Sequence, residues 1–463
     1  MTTLTIAIVV VFVIGYAFIA LESFTRVNKA AVALLMFVAT WTLFMFDPGS
    51  YLPNFTPDMV NGVLEKHLGS TATTLFFLMG AMTIVEVVDQ NGGFNFVRDI
   101  LRTTNKRKLL WRIALMTFFL SAILDNMTTS IVMVMVLRKL VDDHHDRLMF
   151  ASLVIIAANS GGAFSPIGDV TTIMLWNKGL ITAGGVIKEI FLPSLISVVI
   201  PALIMQWMLK GHLDAPVTTS NVEDHVFTSL ERKVIFFLGV GGLCFVPVFH
   251  SLTGLPPFAG ILLVLGVVWT VIEVFYRKER HAPDSMNRRV SKVLGRIDMT
   301  TILFFLGILM AVSCLEEIKV LHMAGAELNE ISGGNHYLVT GIIGVISSIV
   351  DNVPLVAGCM GMYTDLVRDF AVDGLFWQLL AYCAGVGGSI LIIGSAAGVV
   401  VMGLERISFG WYLKHVSWLV FVGYVAGIVS YWLQNYIVKL LAYSIKVILA
   451  LLESKICTII AKG

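Results

Sequence analysis

A short phrase occurs twice in this chain inside apolar sequence, with a carboxylate in it each time: Ser121-Ala-Ile-Leu-Asp125-Asn126 and Ser347-Ser-Ile-Val-Asp351-Asn352. Each copy is followed by a glycine pair, Gly161-Gly162 and Gly387-Gly388, and the distance from Asp to the first Gly is 36 residues both times (161 − 125 and 387 − 351). A carboxylate in hydrocarbon costs at least about 2.5 kcal/mol on insertion scales, so an intramembrane Asp is a functional candidate by default. Two of them at matching places of an internal repeat point to a transporter whose site lies between two halves.

The surroundings are hydrocarbon-like. The chain is 57% hydrophobic and 14% charged, with mean hydropathy +0.86, the composition of a membrane protein. Spanning candidates are residues 3–21, 29–47, 71–90, 148–177 and 185–209 in the first half, and 231–250, 257–276, 299–316, 375–403 and 411–434 in the second. Residues 1–210 and 231–436 then form two membrane repeats joined by a cytoplasmic linker, 211–230. The tail 437–463 is expected as an amphipathic or an extra transmembrane helix. The first positive charge is Arg26, so residues 3–21 lack the basic lead of a cleavable signal and are expected as a retained helix. A net charge of +1 gives no reason to expect a nucleic-acid partner, and the five scattered cysteines suggest neither disulfides nor a metal site.

Between the third and fourth span of each half lies a different object. In 109–140 and in 337–367 two apolar arms of about 15 residues flank Asp125-Asn126 and Asp351-Asn352, too short for the roughly 20 residues a crossing needs. They suit re-entrant hairpins, and Pro354 after the second tip disfavours the alternative of one long helix with a buried polar patch. The fourth spans, 148–177 and 375–403, carry the glycine pairs, a further Gly six residues on, and in the first copy Ser165-Pro166. They are expected to be helices broken at mid-membrane; close helix packing is the other use such glycines have. Thr74-Leu-Phe-Phe-Leu78 and Ile302-Leu-Phe-Phe-Leu306 form a third correspondence. The fold class expected is therefore an all-α polytopic membrane protein of two inverted-topology repeats, each five transmembrane helices plus a re-entrant hairpin. With the N-terminus outside, the expected inner segments hold 23 Lys and Arg and the outer ones 5 (Lys66, Lys178, Lys188, Lys319, Arg368). That bias obeys the positive-inside rule and brings hairpin one in from the cytoplasm and hairpin two from outside.

Asp125 and Asp351 at the tips are the candidate exchange groups. A hard monovalent cation takes oxygen ligands. Candidates for Na⁺ are Asp125, Asn126, Thr129, Asn159, Ser160 and Ser165 in the first half, and Asp351, Asn352, Ser389 and Ser395 in the second. A carboxylate removed from water holds its proton more tightly, so one group can take a cation or a proton, and competition gives exchange. Asp169 in the first broken helix is a further candidate; its counterpart is Ser395 (169 + 226). Glu86 in the third span is a fourth acid, which either takes part or reaches the interface. His144-His145, among Asp142, Asp143 and Asp146, reads as a solvated loop more readily than as a pH sensor.

These motifs as a set, Leu124-Asp125-Asn126-Met-Thr128-Thr129, Asn159-Ser160-Gly161-Gly162-Ala-Phe-Ser165-Pro166-Ile-Gly168-Asp169, Val350-Asp351-Asn352-Val-Pro354 and Gly387-Gly388-Ser389, resemble the NhaD family of Na⁺/H⁺ antiporters. That family is related to arsenite permeases and sodium-coupled dicarboxylate carriers, and the resemblance covers about residues 70–430. The carriers place Ser-Asn-Thr at the hairpin tip, where this chain has Asp in both copies. The resemblance implies exchange of Na⁺ or Li⁺ for H⁺ without a cofactor, by a homodimer in which a moving transport domain works against a scaffold. An oxyanion, arsenite or dicarboxylate permease is the alternative within the same superfamily. The sequence holds no HExxH, GxSxG or Walker loop, so no enzyme is expected. The default location is the inner (plasma) membrane, multi-pass.

Overall fold

The computed structural model describes the backbone of residues 2–20, 22–51, 57–93, 100–101, 103–209, 211, 213, 227–278, 290–349, 351–363 and 365–460. The described residues are helical, without strand. In the first half run α1 (Thr3–Ala20), α2 (Lys29–Phe44), α3 (Pro57–Gln90), α4 (Lys106–Ser121), α5 (Asn126–Leu140), α6 (His144–Ala163), α7 (Val170–Asn177) and α8 (Ala183–Met208). The second half has α9 (Ser229–Thr253), α10 (Pro257–Lys278), α11 (Met299–Glu317), α12 (Val320–Ile331), α13 (His336–Ser347), α14 (Asn352–Met362), α15 (Leu375–Gly387), α16 (Ala396–Glu405), α17 (Phe409–His415) and α18 (Ser417–Ile460). Residues 214–226 of the expected linker lie outside the described residues, as do Val350 and 461–463. The backbone of α18 runs through 437 without a break, so the tail continues the last span.

Among the described residues, six stretches are long and apolar enough to cross a membrane: Asn61–Gln90, Ala183–Met208, Leu230–Thr253, Pro257–Arg277, Met299–Glu317 and Ser417–Ile437. The other expected crossings are shorter helices or helix pairs. Each expected hairpin is two helices interrupted at its Asp. Pro354 falls in the first turn of α14, where the missing N–H has no intrahelical partner to lose. The fourth spans are likewise interrupted, between α6 and α7 and between α15 and α16.

The first glycine pair is not itself the break, whereas the second sits at it: α15 ends at Gly387 and Gly388 is its C-cap. Gly161 and Gly162 lie inside α6, and the interruption follows at Phe164–Asp169. A Cβ at Gly161 would run into the backbone carbonyl of Phe118 on α4, and one at Gly387 into that of Gly344 on α13. Packing claims the first glycine of each pair, and the chain breaks just beyond the pair in the first half and within it in the second. At Gly168 and Gly394 a Cβ would meet the backbone of the adjacent tips, at Ser121 and Ser348.

The two halves repeat one another atom for atom in places. Ser121 Oγ donates to the Ala158 carbonyl at 2.6 Å, and Ser347 Oγ to that of Ala384 at 3.0 Å, each residue shifted by 226 (347 − 121, 384 − 158). The packing follows the same scheme: α4 lies on α6 as α13 lies on α15, α6 on α8 as α15 on α18, and α3 on α10 as α11 on α2. At the centre α6 packs on α15. Residues 149–163 and 376–387 are buried without interruption, as expected of helices apolar on every side. Outward-facing Leu35, Val38, Trp207, Phe237 and Leu252 are exposed, which suits a surface wetted by lipid.

Candidate functional site

Four short helices point their N-termini at one region, and each is capped by a residue the sequence had singled out. Asp125 caps α5: Oδ1 accepts the Thr128 amide at 2.8 Å and Oδ2 the Thr128 hydroxyl at 2.5 Å. Asp351 caps α14, with Oδ1 accepting the Val353 amide at 3.2 Å. Ser395 caps α16, accepting the Gly398 amide at 3.1 Å. Asp169 stands at the same place before α7. Free amides and positive helix ends favour an ionised carboxylate, which offsets part of the cost of holding one at membrane depth.

Asp125, Asn126, Asp169, Asp351 and Asn352 all line one central cavity, with Lys29 and an apolar wall that includes Phe77, Met82 and Phe305. Three carboxylates thus face one ammonium. Asp169 is only 2% exposed, and its Oδ2 accepts the Asn352 amide nitrogen at 3.3 Å, a contact between the two halves. Asn159, fully buried on α6, supplies another. Its Oδ1 accepts from Asn126 at 3.0 Å, and its Nδ2 donates to Ser389 Oγ and Ser395 Oγ, both at 2.8 Å. One amide therefore spans both tips' neighbourhoods. Thr129 Oγ1 is buried, with no hydrogen-bond partner among the described residues.

The remaining candidates are placed elsewhere. Ser160 Oγ accepts from Ser197 on α8 at 2.9 Å, so it ties helices together. Ser165 Oγ donates to the Ala122 carbonyl and fastens the first break to the first tip. Neither lines the cavity. Glu86 is half-buried on α3, accepts from Gln90 at 2.9 Å, and does not line the cavity either. The sequence reading missed Lys29. Its ammonium lies 2.8 Å from Asp351 Oδ2. Lysine at the first turn of a span reads as one more inner charge, and nothing in the local pattern relates it to a residue 322 positions away.

A family profile described as "Citrate transporter" (CitMHS) matches residues 16–380. The chain is 43% identical over 431 residues to Sodium/proton antiporter 1 of Arabidopsis thaliana, covering 92% of this chain and 72% of that protein. It is 42% identical over 423 residues to Sodium/proton antiporter 2 of the same plant, covering 91% and 97%. To the Na(+)/H(+) antiporter NhaD of Alkalimonas amylolytica it is 30% identical over 456 residues, covering 92% and 90%. The chain belongs to the NhaD family of Na⁺/H⁺ antiporters. The chain is a multi-pass membrane protein.

Asn159 is the residue on which the cross-half network of this NhaD-family chain turns. Asn159→Ala would leave Asn126, Ser389 and Ser395 each short of a partner. A loss of about 1–3 kcal/mol per stranded buried group is expected. The measurement is thermal unfolding in detergent together with the Na⁺ concentration for half-maximal transport. A lower melting temperature and a raised half-maximal concentration are expected; an unchanged value of both would remove Asn159 from the site.

Proposed function

We propose that this chain is a secondary active transporter exchanging Na⁺ or Li⁺ for H⁺, with Asp125 and Asp351 as the groups that carry either ion. The observation that carries this reading is the convergence of two hairpin-tip carboxylates and Asp169 on one cavity between the halves, each at a helix N-terminus. Carboxylate and amide oxygens are the ligands a hard cation takes. Asp125, Asn126, Asp351 and Asn352 would hold the ion; Asn159, Ser389 and Ser395 would orient them, and Thr129 would add a hydroxyl. Each carboxylate oxygen can accept more than the single bond it makes here. Cation and proton compete for the same oxygens, so loading one from either side displaces the other. No covalent step is involved, and the activity is transport, not catalysis of a reaction. The same three carboxylates disfavour the oxyanion and dicarboxylate reading.

The halves would lie in the membrane with opposite orientation, hairpin one entering from the cytoplasm and hairpin two from outside. Contacts between distant segments support this. Arg138 and Arg147 both reach Glu405 at 2.7 Å, and all three belong to expected inner segments. On the expected outer side Thr182 Oγ1 donates to Asp373 at 2.6 Å, and His336 lies 2.8 Å from Asp369. By family resemblance it would work as a homodimer in the inner (plasma) membrane.

Exchange is tested with purified protein in proteoliposomes carrying a pH-sensitive dye. A Na⁺ pulse should move protons the opposite way. Asp125→Asn and Asp351→Asn keep size and lose the titratable charge, and each should lower the exchange rate at least about a hundredfold, the scale of losing a group that acts directly. Near-normal exchange by either well-inserted variant would remove that residue from the mechanism.

Orientation has its own test. Cysteines at the exposed positions Asp142 and Asp365, in a chain stripped of its other reactive thiols, should label with an impermeant reagent from opposite faces, Asp142 from the cytoplasm. Labelling of both from one face would refute the inverted arrangement.

A further inference from the structure

Among the described residues Lys29 is the one cation lining the central cavity, and the exchange reading leaves it without a task. It stands in the first turn of α2, in the first half, while its partner Asp351 caps α14 in the second. The contact is close and partly shielded: the side chains are 29% and 19% exposed, and the ammonium also lies over the Phe304 ring, 4.4 Å from its centroid. The Lys29 amide is fixed by Glu22 Oε1 at 3.1 Å. A second cavity begins on the other side of the pair. It is lined by Glu22, Asp298, Ile349, Gly394 and Ser395, and shares Lys29, Met127, Thr301, Asp351 and Ala396 with the central one. The ion pair is thus part of the wall between a cavity rimmed by Glu22 and Asp298 and the cavity that holds Asp125 and Asp169.

We propose that Lys29 is a tethered competitor for the transported cation: its ammonium occupies the cation's place on Asp351, and an ion arriving past Glu22 and Asp298 must displace it to enter the central cavity. This rests on the exchange reading above and assigns Lys29 as a specificity-determining residue within it. The chemistry is substitution of one monovalent cation for another on the same carboxylate oxygen. Lys29 keeps its proton throughout, Phe304 offers the displaced ammonium a surface to rest on, and no bond forms or breaks. A built-in competitor lowers apparent affinity by the fraction of time the carboxylate is free. It also keeps Asp351 from standing unpaired at depth when no ion is bound.

The test compares wild type, Lys29→Met, Lys29→Gln and Lys29→Arg in the proteoliposome exchange assay at about pH 9, where protons compete least with the ion. Na⁺-dependent thermal stabilisation of the same proteins in detergent gives a second readout that needs no turnover. The neutral variants should reach half-maximal effect at a Na⁺ concentration at least about fivefold lower than wild type in both readouts, the lower edge of ordinary coupling between competing ligands. Lys29→Arg, still charged, should not show that gain. An unchanged or higher half-maximal concentration in the neutral variants overturns the proposal, even if their maximal rate falls. So does failure of both neutral variants to fold while Lys29→Arg folds, which would make the pair a structural bridge. Wild type that shows no Na⁺-driven proton movement would defeat the exchange reading itself, a different result from a wild type that exchanges beside neutral variants with no gain.

Discussion

Everything at the centre of this molecule follows from the difficulty of keeping a carboxylate ionised away from water. Asp125, Asp169 and Asp351 are placed where a helix begins, because a helix start offers amide hydrogens with no intrahelical partner and the positive end of the peptide dipoles. Helix starts at membrane depth require interrupted helices, and interrupted helices expose backbone that must be covered by protein. The serines and glycines around the breaks meet that need. Ser121 and Ser347 take up the carbonyls of Ala158 and Ala384, and Gly161 and Gly387 let the covering helices approach to backbone contact. The doubled motif therefore encodes a way of building a charged site as much as the site itself.

The same constraint explains why the halves are joined so firmly near the cavity. Asn159 bonds to groups from both halves, and Asn352 reaches Asp169. Further out, Glu405 is held with 1% of its side chain exposed between Arg138 and Arg147. A buried carboxylate with two guanidinium partners is tolerated where a single unpaired one would not be. It links the end of α16 to the end of α5 and the start of α6, so two of the four short helices that converge on the cavity, α5 and α16, are braced at their far ends as well as at their caps.

Much of this is legible in the sequence, for identifiable reasons. Helix interruptions at Asp125 and Asp351 announce themselves as polar pairs in apolar runs, and a fixed spacing of 226 residues exposes the duplication. Asn159, Ser389 and Ser395 are found because they flank glycine motifs at matching places. Proximity across the fold is what the sequence withholds. Ser160 and Ser165 look like ligands by position along the chain, but their hydroxyls turn to Ser197 and to the Ala122 carbonyl. Glu86 lies one turn beyond cavity-lining Met82 on the same helix, and its carboxylate accepts from Gln90 further along instead of lining the cavity. Lys29 is the converse case, an ordinary span-end lysine that tertiary packing of α2 on α11 delivers to Asp351.

The central claim is that one set of carboxylate oxygens serves cation and proton in turn. Titrating Na⁺ at several pH values in proteoliposomes tests it most directly. Direct competition predicts that acidification weakens apparent Na⁺ affinity, up to about tenfold per pH unit for each proton displaced, with little change in the maximal rate at saturating Na⁺. An apparent affinity independent of pH, with only the maximal rate falling in acid, would contradict the account and move control of transport away from Asp125 and Asp351.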